Sequence, residues 1–410
     1  MQARLVALPC ILFTAACLVA ACDNQDEGPP PGALGEGAIG HSEQAIQGGY
    51  VDDFDTNVVG LVHLGNQSIG SCSGTLIAPN VVLTAQHCVA NSSSGGGVQC
   101  GVTEFSAPYP VTSFYVTTNT SFSNNPADYR NVAEVHLPPS DGTAFCGFDQ
   151  AIVVLDSLIP AEEATPSIPR VDTPLLNGEE YYAVGFGQTA DNPNASSGTR
   201  YRRDQLFTAC VGLDCGAANY ISSTEFLGDT GVCSGDSGGP AFDLQNRVVG
   251  VASRGAPNCE SPVYGHVQGW GEWIKEITIH AAALGGYEAP AWALGKPTDP
   301  VYDIPIGETC MVPEDCPWGC HGDGYCTRPC QELAPCPDGY TCNADAICEL
   351  IPPPPEPTPK SDADGGGSTT TGCSLTGEPL SNADPTKPIP WKQIPIALGA
   401  LALWVRRRRS

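Results

Sequence analysis

Ser237 lies in the stretch CSGDSGGP, residues 233–240, among three glycines and ahead of a proline. Glycine backbone takes conformations and close approaches that a side chain would forbid, so this turn reads as one that presents a hydroxyl. A nucleophilic serine needs a base to take its proton, and the base needs an acid to hold its tautomer and offset its charge. Candidates for both lie upstream: His87 directly before Cys88 in LTAQHCVA, and Asp149 at the head of an apolar run in CGFDQAIVVLD. Taken singly, a histidine beside a cysteine and an aspartate at a strand start are structural residues. Their conjunction changes the reading, because TAQHC, FDQAIVVL and GDSGGP occur once each, in the chain order His, Asp, Ser.

Such a set needs a rigid scaffold, and residues 46–284 supply one. Short runs such as NVVGLVHL, AIVVLD, YYAVGFG and RVVGVAS are bounded by Gly, Pro, Asn and Ser, the pattern of strands and turns. The closing segment GWGEWIKEITIHAAAL places Trp270, Trp273, Ile274, Ile277 and Ala281 at helical spacing. One terminal helix on an all-β body is the simplest account. Residues 285–305 are rich in Pro and Gly and read as a linker. Residues 306–350 hold eight cysteines between 310 and 348. Little apolar core is available there, so four disulfides would have to staple the unit, with about a hundred pairings open. Their spacings, mostly five and three rather than two, disfavour zinc and hint at two related half-modules. A stalk follows over 351–372, proline-stiffened and then Gly/Ser/Thr-flexible.

The chain has 410 residues, 45 acidic and 18 basic, for a net charge of -27, and four of the basic residues cluster at Arg406 to Arg409. Nucleic acid is therefore not expected as a partner; a solvated acidic surface is. Twenty cysteines point to an oxidising compartment. The seven histidines fall into no CxxC and HxxxH pattern, so structural zinc finds no support; no metal site and no cofactor are expected, calcium alone being left open. Residues 1–22 form an export signal ending in LVAAC, which resembles the bacterial lipobox and would make Cys22 the acylated residue; an ordinary signal peptide cut nearby is the alternative. At the other end, 373–410, the apolar run Ile394 to Val405 is twelve residues long, short of the roughly 20 a spanning helix needs. With TTGC upstream and arginines downstream it resembles the myxobacterial C-terminal sorting tail, which would make Cys373 the anchoring point. A weak anchor left in place is the competing reading. Localisation is expected to be exported, at a bacterial cell envelope or surface or secreted.

On the motifs TAQHC, FDQAIVVL and GDSGGP, residues 46–284 resemble the chymotrypsin/trypsin-like serine peptidases. The resemblance implies two six-stranded antiparallel β-barrels with a C-terminal helix, here followed by the small disulfide-rich module. It makes Ser237 the nucleophile, His87 the general base and then acid, Asp149 its orienting residue, and the N–H groups of Gly235 and Ser237 the oxyanion hole. SEQAIQGGY resembles the family's activation junction: cleavage after Ala45 would remove a propeptide, 23–45, and free Ile46, whose amine would pair with Asp236. Gln47 and Ala45 depart from the usual apolar second residue and basic cleavage site, which argues against a trypsin-like activating protease. The resemblance also implies disulfides Cys72–Cys88 and Cys233–Cys259, which leaves Cys100 with Cys146 and Cys210 with Cys215. Gly231 would floor the specificity pocket, where the family's aspartate selects Lys or Arg, so a small or medium apolar residue is expected before the scissile bond. Asp229 and Glu260 lie near enough to keep a basic preference open. Ser253 and Gly255 would pair with extended substrate backbone, and Arg254, in place of the family's tryptophan, would favour an acidic neighbouring residue. Expected partners are protein or peptide substrates, an activating protease, and a membrane through the terminal signals. The function implied is an exported serine endopeptidase made as a zymogen. The alternatives are an idle homologue that binds or adheres at the envelope, and a chain whose disulfide-rich module does the binding rather than acting as a spacer.

Overall fold

The computed structural model describes residues 46–352, save 66–67, 94–96, 141–143, 190–196, 217–219 and 257–258. The expected export signal with Cys22, the expected propeptide with Ala45, and the segments read as a stalk, from 353, and as a sorting tail with Cys373 lie outside the described residues. The N-terminal half carries β1 (Tyr50–Val51), β2 (Val58–Leu64), β3 (Ile69–Ala78), β4 (Val81–Thr84), β5 (Ala90–Ser92), β6 (Phe105–Pro108), β7 (Phe114–Thr117), β8 (Arg130–His136) and β9 (Ala151–Leu155). Six of these close into a barrel in the order β2-β3-β4-β9-β8-β7, with β5 and β6 paired as a separate ribbon. The AIVVL run of β9 is buried at every residue, which explains why it reads as continuously apolar rather than alternating.

The C-terminal half carries β10 (Glu180–Gly185), β11 (Tyr201–Phe207), β12 (Cys210–Val211), β13 (Glu225–Leu227), β14 (Pro240–Asp243), β15 (Val248–Ala256) and β16 (Glu260–His266). With β1 they form an eight-stranded antiparallel sheet ordered β1-β11-β10-β14-β15-β16-β13-β12. Where a second six-stranded barrel was expected, this sheet does not close among the described residues. Its two end strands, β1 and β12, are two residues each, too short to zip one edge to the other. A second core lies on it, built from Ile46, Tyr181, Leu206, Phe226, Val249 and Tyr264 among others; Phe226 and Tyr264 stack with centroids 4.8 Å apart.

Helix α1 (Gly271–Gly285) ends at Gly286, whose φ of 71° gives the left-handed turn that stops it. Trp273, Ile274 and Ala281 enter the core of the closed barrel, with Trp270 and Ile277 packed alongside, so the helical face read from the sequence is the one that is buried. The chain thereby returns from its second half to brace the first. Residues 285–305, expected as a linker, do not leave the domain: Trp292 and Ala293 are 5% and 4% exposed within the same core, the Tyr287 hydroxyl donates to Asn80 at 2.6 Å, and the Thr298 N–H donates to Asp172 at 2.7 Å. Composition reports backbone character, and it missed two buried residues that anchor the segment.

Four two- and three-residue strands follow: β17 (Gly319–Cys320), β18 (Cys326–Thr327), β19 (Tyr340–Cys342) and β20 (Cys348–Leu350). The pairings left open by the sequence are Cys310–Cys320, Cys316–Cys326, Cys330–Cys342 and Cys336–Cys348. Each half joins its first cysteine to its third and its second to its fourth, around one hairpin-like strand pair. The two halves are topological repeats, as the alternating spacing suggested. Further upstream, Cys72–Cys88, Cys100–Cys146, Cys210–Cys215 and Cys233–Cys259 are all bonded as expected.

Candidate active site

His87 sits on a single 3-10 turn, Gln86–Cys88, just after β4. Asp149 precedes β9, and β4 pairs antiparallel with β9 so that Thr84 faces Ala151. The register therefore brings the histidine turn and the aspartate to the same end of two adjacent strands. His87 donates twice to Asp149, from its backbone N–H to Oδ1 at 2.9 Å and from Nδ1 to Oδ2 at 2.8 Å. Asp149 is 2% exposed, so this acceptor is pinned in place and fixes the imidazole's tautomer with Nε2 left free as the basic nitrogen. The protein around His87 disfavours its cation, but the charge and hydrogen bond of Asp149 outweigh this and hold the imidazole pKa above its ordinary value.

A third donor reaches the same carboxylate: the Ser253 hydroxyl lies 2.6 Å from Asp149 Oδ2. The sequence reading placed Ser253 only on the substrate-binding strand. Nothing in its local pattern signals the contact, because its partner is 104 positions away.

Ser237 opens the turn into β14. Its carbonyl accepts from the Ser73 N–H at 2.8 Å, and Cys88 Sγ lies 3.6 Å from that same oxygen, so the residue after His87 packs against the residue that would attack. The turn is held at both sides: Gly238 N–H donates to Ala252 at 2.7 Å and Gly239 N–H to Asp236 at 2.8 Å. Gly235 adopts φ of 97°, a region open mainly to glycine, and a Cβ there would come within 2.8 Å of Gly187 Cα. Backbone conformation and the crossing of a second chain segment thus both call for glycine at this position. Ser73 Oγ links these parts, donating to Gly235 O at 3.0 Å and accepting from the Phe186 N–H at 2.9 Å. It was missed from sequence for the same reason as Ser253.

Asp236 is 1% exposed and accepts from the N–H groups of Gly187 and Cys233 at 2.8 and 2.9 Å. Among the described residues no basic side chain pairs with it. Burial pushes its pKa up to about 7 despite those two donors, because a desolvated carboxylate lacks a counter-ion. Ile46 is fully buried in the second core and has φ of 44°, a conformation strained for a β-branched residue.

A cavity of about 320 Å³ opens beside Ser237, lined in part by Val232, Ser234, Ser253, Arg254 and Gly255. Gly231, expected as its floor, is buried behind these residues, where a Cβ would lie 2.6 Å from the guanidinium of Arg203. Asp229 and Glu260 do not line the cavity; Asp229 instead accepts from the Phe207 N–H at 2.8 Å. Among the described residues that line the cavity none is a carboxylate, and the Arg203 guanidinium lies against Gly231. Arg254 does reach the cavity, but its guanidinium is bonded to both oxygens of Glu225 at 2.7 and 2.8 Å and to Tyr220 O at 2.6 Å. The expectation that it offers a free positive charge to substrate is corrected: buried Glu225 neutralises it. β14 pairs with β15 only as far as Val251, so the stretch from Ser253 to Ala256, including exposed Gly255, keeps one backbone edge free among the described residues.

The trypsin family model matches residues 57–274, just over half of the chain. The chain belongs to the trypsin family. Similar proteins include serine protease SP24D of Anopheles gambiae, 30% identical over 214 residues that make up 50% of this chain and 71% of that protein. A trypsin of Saccharopolyspora erythraea is 28% identical over 229 residues, 52% of this chain and 88% of the relative. Chymotrypsin-like elastase family member 1 of Rattus norvegicus is 26% identical over 234 residues, 51% of this chain and 79% of the relative. Among solved structures, an inactivated protease paralogue of the scabies mite aligns with a TM-score of 0.42 and 18% identity, covering 56% of this chain and 98% of that one. This trypsin-family domain thus has serine proteases as its relatives, and proteases of this kind act on protein or peptide substrates. Among the described residues no helix is long and apolar enough to cross a membrane.

Proposed function

We propose that the chain is an exported serine endopeptidase, made as a zymogen, that hydrolyses peptide bonds through an acyl-enzyme. The observation that carries this reading is the 2.8 Å bond from His87 Nδ1 to buried Asp149, in the same site as the Ser237 turn. Ser237 Oγ attacks the scissile carbonyl carbon while His87 Nε2 takes its proton. The oxygen that becomes negative is held by the N–H groups of Gly235 and Ser237, one such donor being worth about 3 kcal/mol. As the C–N bond breaks, His87 returns the proton to the leaving amine, and water repeats the sequence on the ester.

Activation by cleavage after Ala45 is supported from two sides. Asp236 is a buried carboxyl without a cation, and the freed amine of Ile46 would be one. Ile46 also holds a left-handed φ, a strain of roughly 1–3 kcal/mol that ends when its preceding peptide bond is cut, since φ then has no carbonyl to rotate against. The cavity's lack of a carboxylate, with Arg203 behind Gly231, supports cleavage after small or medium apolar residues and opposes cleavage after Lys or Arg. Eight disulfides among the described residues support an oxidising compartment. Cys22 and Cys373 are the proposed lipid or processing points; an acylated Cys22 would tether the precursor and not the enzyme cut at Ile46.

The test is turnover of peptide pools by the processed protein. Wild type is expected to cleave, and Ser237→Ala to lose a factor on the order of 10⁶ in kcat. Equal residual activity in the two proteins would overturn the reading.

A further inference from the structure

Away from the triad, three side chains converge where α1 crosses β8. Glu134 and His136 are two apart on β8 and so share a face, and His280 reaches them from the helix. Both imidazoles direct Nε2 at one atom, Glu134 Oε2, at 2.7 and 2.9 Å, with ring centroids 5.6 Å apart and nearly perpendicular. The three candidate ligand atoms all lie within 4.8 Å of one another. Side-chain exposures of 34%, 26% and 46% for Glu134, His136 and His280 leave the cluster open to ions from solvent.

We propose that Glu134, His136 and His280 bind a divalent ion of the zinc class, with water at the fourth position, as a clip between the C-terminal helix and the barrel. Two imidazoles and one carboxylate are a donor set that suits Zn²⁺. Bonds of about 2.0–2.1 Å around a tetrahedral ion set neighbouring ligand atoms about 3.4 Å apart, so the two hydrogen bonds to Glu134 open by roughly half an ångström when the ion enters. Each Nε2 proton moves to Nδ1 of its own ring, and no net proton need be lost. The clip bears on the site already described because His136 pairs with Ile152 on β9, the strand that begins two residues after Asp149. The expectation of no metal rested on the absence of HxxxH and CxxC patterns, which cannot detect ligands drawn from positions 134, 136 and 280.

The test uses the processed protein stripped with a chelator, titrated with Zn²⁺ by calorimetry and melted with and without Zn²⁺. Wild type is expected to bind one ion per chain and to melt higher with it, whereas Glu134→Gln and His280→Ala bind about tenfold or more weakly and gain no melting temperature. His280→Gln replaces the alanine variant if the latter melts lower without metal. Binding unchanged in Glu134→Gln and in the His280 variant would overturn the proposal, as would a single site lost instead in His87→Ala, which would belong to the catalytic imidazole.

Discussion

Asp149 accepts three hydrogen bonds, two from His87 and one from Ser253, and this concentration on one carboxylate is what the chemistry needs. Replacing it by Asn is expected to keep the fold and lower kcat by about 10⁴, since an amide can donate to Nδ1 and select the wrong tautomer. The pH profile gives the sign. The proposed mechanism requires neutral His87, so kcat/KM should rise with pH through the imidazole pKa, which Asp149 holds above its ordinary value; Asp149→Asn should move that acid limb to lower pH. An unmoved limb would mean that Asp149 does not set the histidine's protonation. At this scale the sequence was most legible, because the motifs carrying His87, Asp149 and Ser237 occur once each and in one chain order, a conjunction that no one of them supplies alone. Ser73 and Ser253 were not, since a serine's value here depends on partners 162 and 104 positions away. Arg254 was misread for a related reason: its charge was visible, and the buried Glu225 that cancels it was not.

Strands and turns position these groups, and the turn carrying Asp236 stores an imbalance that can be measured. The Asp236 carboxyl titrates near 7 in the folded chain against an ordinary 3.8. Between those values the folded state keeps a proton that the unfolded chain has lost, so stability falls as pH rises from about 4 to about 7. The full difference is about 4 kcal/mol. Denaturant melts of the uncut Ser237→Ala precursor should show this decline, and Asp236→Asn should flatten it; the chain cut at Ile46 should also lose it. A decline that persists in Asp236→Asn would place its origin elsewhere. Element existence was legible from the sequence, including the buried face of α1. Closure was not: among the described residues the second sheet ends in two-residue strands without closing, and edge length has no signature in an apolar pattern. The segment 285–305 was read by its prolines and glycines, while Trp292 and Thr298 decide where it packs.

At the scale of the whole molecule, one trypsin-family domain with a large apolar core is joined to a module whose core is sulfur. The buried cluster in the first half of that module consists of Cys310, Cys316 and Cys326, with partly buried Cys320 packed against it, and holds no aliphatic side chain to keep it together once the bridges open. Mild reduction should therefore unfold residues 310–348 before the domain, seen as early proteolysis or amide exchange confined to that segment. Simultaneous exposure of both parts would show that the module is supported by the domain and not by its disulfides. The net charge of -27 and the eight disulfides among the described residues fit the proposed reading of an exported chain that is cut once and then cleaves others. The most direct measurement is reaction of the exported protein with a serine-directed phosphonate, followed by mass spectrometry, with Ser237→Ala alongside. The account predicts a chain that begins at Ile46 and carries the label on Ser237, with none on the variant. A chain that begins at Ile46 and refuses the probe would contradict it, and would make this protein a binder built on a peptidase fold.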